Sequence, residues 1–76
     1  LNSGSASVSV AFKSDKMVNI YWGDGTVDTD VYGDCTGKNA ISHTYTDNGI
    51  YYIIVAGVIE DITDFETNGI IVWNRL

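Results

Sequence analysis

The sequence contains no proline and one cysteine, Cys35, and only four of its 76 residues are basic. Proline is the residue that bars a run from a central strand. Its absence, with valine, isoleucine, threonine and tyrosine dominating the apolar runs, gives the composition of strands rather than helices. A lone cysteine closes no internal disulfide, which excludes a stapled scaffold but leaves the compartment open. Lys13, Lys16, Lys38 and Arg75 are scattered, whereas a phosphate backbone or an anionic bilayer attracts clustered cations. Nucleic acid is therefore a poor partner, as is an anionic membrane. No run approaches the roughly 18 apolar residues of a membrane span, and the amino end lacks a signal-peptide pattern, so membrane insertion is not expected.

What is present is acidic and aromatic. Ten acidic residues give a net charge of −6, which makes cations the natural counterpart. Aromatic residues make up 12% and apolar ones 45%, which argues for a folded chain. At this length there is room for one small domain burying about 60% of the surface its unfolded form exposes, and little room for an active-site cleft. The chain begins at Leu1 and reads as a piece of a longer polypeptide, with residues 1–5 as linker remnant and 6–76 as a single domain.

Along the chain, Ala6, Val8, Val10 and Phe12 alternate with small residues, the period of a half-buried strand. Lys13 to Lys16 reads as a turn, and Val18, Ile20 and Trp22 share one face of the next strand. Gly23-Asp24-Gly25 is a hairpin signal, because both glycines tolerate positive φ and Asp24 can bond its own backbone. Thr26 to Tyr32 returns as a strand, Gly33 to Asn39 is a loop, and Ala40 to Tyr45 forms another strand before a turn at Thr46 to Gly49. Ile50 to Val58 is apolar on both faces, as a central strand should be. Asn68-Gly69, between Ile62–Thr67 and Ile70–Trp73, predicts a final two-residue hairpin. The expected core is Val8, Val10, Phe12, Val18, Ile20, Trp22, Ile41, Tyr45, Tyr52 and Ile54.

Three kinds of site can be weighed. "WGDGT" has the spacing of neither phosphate-binding glycine loop and no following lysine. Asp24, Asp28, Asp30 and Asp34 form an acidic stretch, and Asp28 to Gly33 resembles the first half of a calcium loop. Calcium wants about six to eight oxygens, and Tyr32 and Asn39 stand where two ligands of that loop belong. Solvated turn and strand aspartates are the competing explanation. His43 with Cys35 or a serine lacks the positioned third group and oxyanion hole of a nucleophilic site, and a hydrogen-bonded structural histidine is the simpler reading. Cys35 has only Lys38 nearby as positive charge and reads as an inert thiol. Tyr21, Tyr32, Tyr51, Tyr52 and Trp73 could supply a platform for sugar or protein, with Tyr21, Tyr51 and Trp73 the leading surface candidates, or could be cross-strand packing.

Two stretches together carry a family signature: "YWGDGT" at 21–26 and "ISHTYTDNGIYYIIVAG" at 41–57. Trp22, Gly23, Asp24, Gly25 and Thr26, followed by His43, Tyr45, Gly49 and Tyr51, resemble the pattern of the PKD (polycystic kidney disease) domain over 8–57, about three quarters of the chain. The resemblance implies an immunoglobulin-like antiparallel β-sandwich of six or seven short strands. It implies a non-catalytic module of a secreted or cell-surface protein, of the bacterial surface type, acting as a spacer or in adhesion to protein or carbohydrate beside neighbouring domains. It also implies that Trp22 is core, that Asp24 fixes the turn, and that His43 and Tyr45 are structural. The alternative is a calcium-stabilised or calcium-dependent module using the four aspartates. Residues 58–76 depart from the family pattern and resemble, faintly, the start of a leucine-rich repeat region.

Overall fold

The computed structural model describes residues 6–47 and 49–75. Residues 1–5, expected to be a linker remnant, and part of the expected turn at Thr46 to Gly49 lie outside them. The described chain is an all-β, sandwich-like fold of six strands: β1 (Ala6–Tyr21), β2 (Val27–Cys35), β3 (Ile41–Tyr45), β4 (Tyr52–Gly57), β5 (Thr63–Thr67) and β6 (Ile70–Arg75). Single 3-10 turns, Gly37–Asn39 and Ile59–Asp61, join β2 to β3 and β4 to β5.

β1 is the spine. It pairs antiparallel with β3 through Ala6–Val10 and with β2 from Phe12 to Tyr21 along one edge. Along the other edge it pairs antiparallel with β5 through Val10–Lys13 and with β4 through Val18–Tyr21. The expected turn at Lys13 to Lys16 is therefore not a turn. The strand runs through it with a register shift between Ser14 and Val18. Buried Ser14 bridges the break: its Oγ accepts from Lys16 N at 3.1 Å and donates to Lys16 O at 2.9 Å, replacing ladder bonds that the irregularity removes. Only the local polarity of the segment suggested a turn; the alternation of β1 continues through it, with Val8, Val10, Phe12, Ser14, Val18 and Ile20 all facing inward.

The sheet curls around this face. Val8, Val10 and Phe12 from one half of β1 join Val18, Ile20 and Trp22 from the other, with Tyr45, Ile53, Val55 and Cys35, in one core cluster. Close approach of the two halves is visible at Gly69, where a Cβ would lie 2.7 Å from Ile53 Cδ1 and 2.8 Å from Val8 Cγ2. Seven of the ten expected core residues are buried. Ile41 is half-buried against the cluster, while Tyr52 is exposed and Ile54 half-buried. In β4 the inward residues are Ile53 and Val55, so the expected parity is shifted by one, which in a strand moves every side chain to the opposite face.

The carboxyl end also differs from expectation. Asn68-Gly69 does turn the chain, but β5 pairs with β1 and β6 pairs with β4, in parallel. Neither Asn68 nor Gly69 has the positive φ of a type I′ turn. Instead the turn is tied to the spine: Ser9 N donates to Asn68 Oδ1 at 3.0 Å and Thr67 Oγ1 donates to Ser9 O at 2.7 Å. These bonds hold the corner against β1 while β6 crosses to the far side of β4. The sheet is consequently mixed, with order β2-β1-β4-β6 and one parallel pair at its edge.

Candidate functional site

Most of the residues singled out in the sequence gather at the corner between β1 and β2. Trp22 N donates to Thr26 O at 3.1 Å, closing the loop that contains Gly23-Asp24-Gly25. Gly23 has φ 91°, and a Cβ there would stand 2.7 Å from the carbonyl oxygen of Tyr52, so the corner can lie against β4 only without a side chain. Asp24 Oδ1 accepts from Thr26 N at 3.1 Å and from Thr26 Oγ1 at 2.6 Å. Its other oxygen meets His43 Nε2 at 2.8 Å, bridging the loop to β3.

The rings above this carboxylate continue the link. Trp22 stacks on His43 with centroids 4.9 Å apart and planes 10° from parallel. His43 meets Tyr45 edge-on at 4.8 Å, and Tyr45 stacks on Tyr51 at 4.0 Å. Tyr45, fully buried, donates its hydroxyl to Trp22 O at 2.6 Å, and the Trp22 indole donates to Asp28 Oδ2 at 3.1 Å. Desolvation works to raise the Asp24 pKa, but the bonds from Thr26 and His43 outweigh it and hold the carboxyl down to about 2. Desolvation, with the nearby Asp24 charge, pushes the Tyr45 phenol up, so its hydroxyl stays a donor.

The four aspartates do not converge. Among the described residues no group of three or more His, Cys, Asp or Glu side chains is placed to hold a metal ion. Asp24 serves Thr26 and His43, and Asp28 serves Trp22. Asp34 accepts from Thr36 N at 3.2 Å and from its hydroxyl. The Thr36 hydroxyl bond, against some desolvation, lowers the Asp34 pKa. Asp30 sits at φ 58°, its N–H donating to Asn19 Oδ1 at 3.1 Å, where the β1–β2 register slips. Asp24, Asp28 and Asp34 each accept local hydrogen bonds through the side chain, and Asp30 contributes its backbone N–H. Asp24-Gly25-Thr26 and Asp34-Cys35-Thr36 form the same side-chain turn at the two ends of β2. Cys35 is buried, and burial, with Asp34 beside it, pushes its thiol pKa up, away from thiolate reactivity.

The aromatic platform is rearranged. Tyr51 is half-buried, stacked on Tyr45 with its hydroxyl donating to Asp47 O at 3.0 Å. Trp73 lies in register with Val55 on the opposite face of β6 from Val72, meets Phe65 edge-on at 4.7 Å, and is exposed at 43%. Tyr21 remains on the outward face. Residues in register share a face, so Val27, Tyr21, Ile54 and Val72 form one row across all four strands, with Tyr52 and Ile70 in the adjoining row. Five of these six side chains are exposed, at 42–55%. The row was not anticipated, because Ile54 and Tyr52 were assigned inward. An open groove of about 670 Å³ is lined by Ser9, Ala11, Gly37, Ala40 and Phe65–Thr67.

Compared with known proteins, the chain matches no family model, no curated protein and no solved structure.

Proposed function

We propose that this chain is a PKD-like, non-catalytic module of a secreted or cell-surface protein that spaces its neighbours and adheres to protein or carbohydrate through the outward face of β2-β1-β4-β6. One observation carries the reading. The groups with chemical potential at the β1–β2 corner, Asp24, His43, Tyr45 and Trp22, are engaged with one another, while an apolar row with two tyrosines lies open on the sheet. Flat amphipathic rings on a rigid sheet suit the apolar faces of sugars and the anchor positions of protein contacts. The agreement of the corner with the roles that the PKD pattern assigns to Trp22, Asp24, His43 and Tyr45 supports the family part of the proposal.

The test is an amide-shift titration with cellohexaose and chitohexaose as soluble probes. Perturbations confined to Tyr21, Tyr52, Val72 and their neighbours are expected if the face binds carbohydrate. Perturbations centred on Asp24 and His43 would contradict the reading, because they would place binding where it assigns only structural roles.

A further inference from the structure

The corner between β5 and β6 places Asn68 directly before Gly69, and an asparagine followed by glycine can react with its own backbone, because a residue with no side chain leaves its nitrogen open to the neighbouring carboxamide. The fold requires both residues. A Cβ at Gly69 would lie 2.7 Å from Ile53 Cδ1 and 2.8 Å from Val8 Cγ2, so the chain turns into β6 here only without a side chain. Asn68 Oδ1 accepts from Ser9 N at 3.0 Å and ties the corner to β1. Gly69 N donates to Thr67 Oγ1 at 3.1 Å, and that hydroxyl donates to Ser9 O at 2.7 Å. Packing and hydrogen bonding thus impose a self-reactive pair at a corner where Asn68 is exposed to water.

We propose that Asn68-Gly69 is a latent deamidation site, guarded while the corner lies on β1 and modified when it lifts away. Gly69 N gives up its proton to solvent and bonds to Asn68 Cγ; the bond from Cγ to the side-chain nitrogen breaks, and that nitrogen takes a proton from solvent and leaves as ammonia. Water then opens the five-membered imide at either carbonyl, giving an aspartyl or an isoaspartyl residue. The first step, loss of the Gly69 amide proton, is also the step that backbone hydrogen exchange requires. In the closed corner Thr67 Oγ1 holds that proton and Ser9 N–H fixes the carboxamide, so the two reacting groups are tied to separate partners. Opening frees both. The isoaspartyl product adds a methylene to the main chain where the bonds to Ser9 and the close approach of Gly69 to Val8 and Ile53 leave no slack. Modification therefore makes the opening of the corner permanent. The inference is independent of what the outward face binds.

Peptide mapping during incubation at neutral pH tests it, with the chain folded and with the chain unfolded in guanidinium chloride, and with isoaspartyl content read by enzymatic methylation. In the unfolded chain Asn68-Gly69 is expected to convert as fast as Asn48-Gly49, the other such pair of the sequence and the internal reference. In the folded chain its conversion is expected to be about tenfold slower or more, by the same factor that protects the Gly69 amide from hydrogen exchange. Thr67→Val keeps the shape and removes the acceptor, and should narrow the ratio of unfolded to folded rates by about threefold or more. Equal rates in the two states, no conversion in the unfolded chain, a retardation that does not follow Gly69 exchange, or a ratio indifferent to Thr67→Val each overturns the proposal. The comparison with Gly69 exchange uses the unsubstituted chain and decides the matter alone if Thr67→Val does not fold.

Discussion

At the residue scale, Gly23 and Gly25 separate two reasons for a glycine. Both have positive φ, at 91° and 96°, but a Cβ would meet the Tyr52 carbonyl only at Gly23, while Gly25 faces open space. Gly25→Ala should cost about 1 kcal/mol, the left-handed backbone penalty alone, and Gly23→Ala about 2 kcal/mol or more, since β4 must also move. Urea unfolding of the two variants checks the difference. Tyr45→Phe removes one oxygen and leaves Trp22 O without its buried partner, so a loss of about 1–3 kcal/mol is expected from the same measurement. Asp24 adds a pH dependence. Its carboxyl titrates near 2 in the folded protein, against 3.8 ordinarily, so the unfolded chain takes up the proton first as pH falls. The stabilisation it contributes is full above about pH 4 and lost toward pH 2, and Asp24→Asn should flatten that part of the unfolding free energy against pH. These roles were legible in part. Turn chemistry revealed the Gly23-Asp24-Gly25 loop, but no sequence rule distinguishes an aspartate that bonds a threonine two residues on from one that awaits a cation.

At the scale of elements, strand existence was easier to read than strand pairing or parity. The alternation of β1 gave its inward face because small polar residues separate the apolar ones. β4 is apolar on both faces, so its own sequence holds no phase information; the phase is set by register with β1, where Ile20 meets Val55. Ile53→Ala is accordingly expected to cost about 2–5 kcal/mol, while Ile54→Ala, on the outward face, should cost about 1 kcal/mol or less, read by thermal or urea unfolding. Equal losses would mean that the parity is wrong. The missing turn in β1 and the missing hairpin at Asn68-Gly69 have a common physical cause. In both places a local polar signal was outweighed by bonds to distant backbone or by side-chain replacement of ladder bonds, at Ser14 and at Thr67-Asn68 with Ser9.

At the scale of the whole molecule, a long central strand and a curled sheet require something to hold β1, β2 and β3 together at the open end, since β2 and β3 reach β1 on separate segments. The corner supplies it by joining the β1–β2 loop to β3 through Asp24 and His43, with Tyr45 of β3 bonded to Trp22 O. Its polar and aromatic residues therefore act on stability, while Tyr21, Val27, Tyr52, Ile70 and Val72 stay exposed on the outward face. The most direct test is a double-mutant cycle of Asp24→Ala and His43→Ala, followed by unfolding free energy at neutral pH. Each single substitution is predicted to cost about 1–2 kcal/mol, with a coupling energy of about 1 kcal/mol between them. Additive losses near zero, with Asp24 and His43 both dispensable to stability, would contradict the account of this corner as a structural latch.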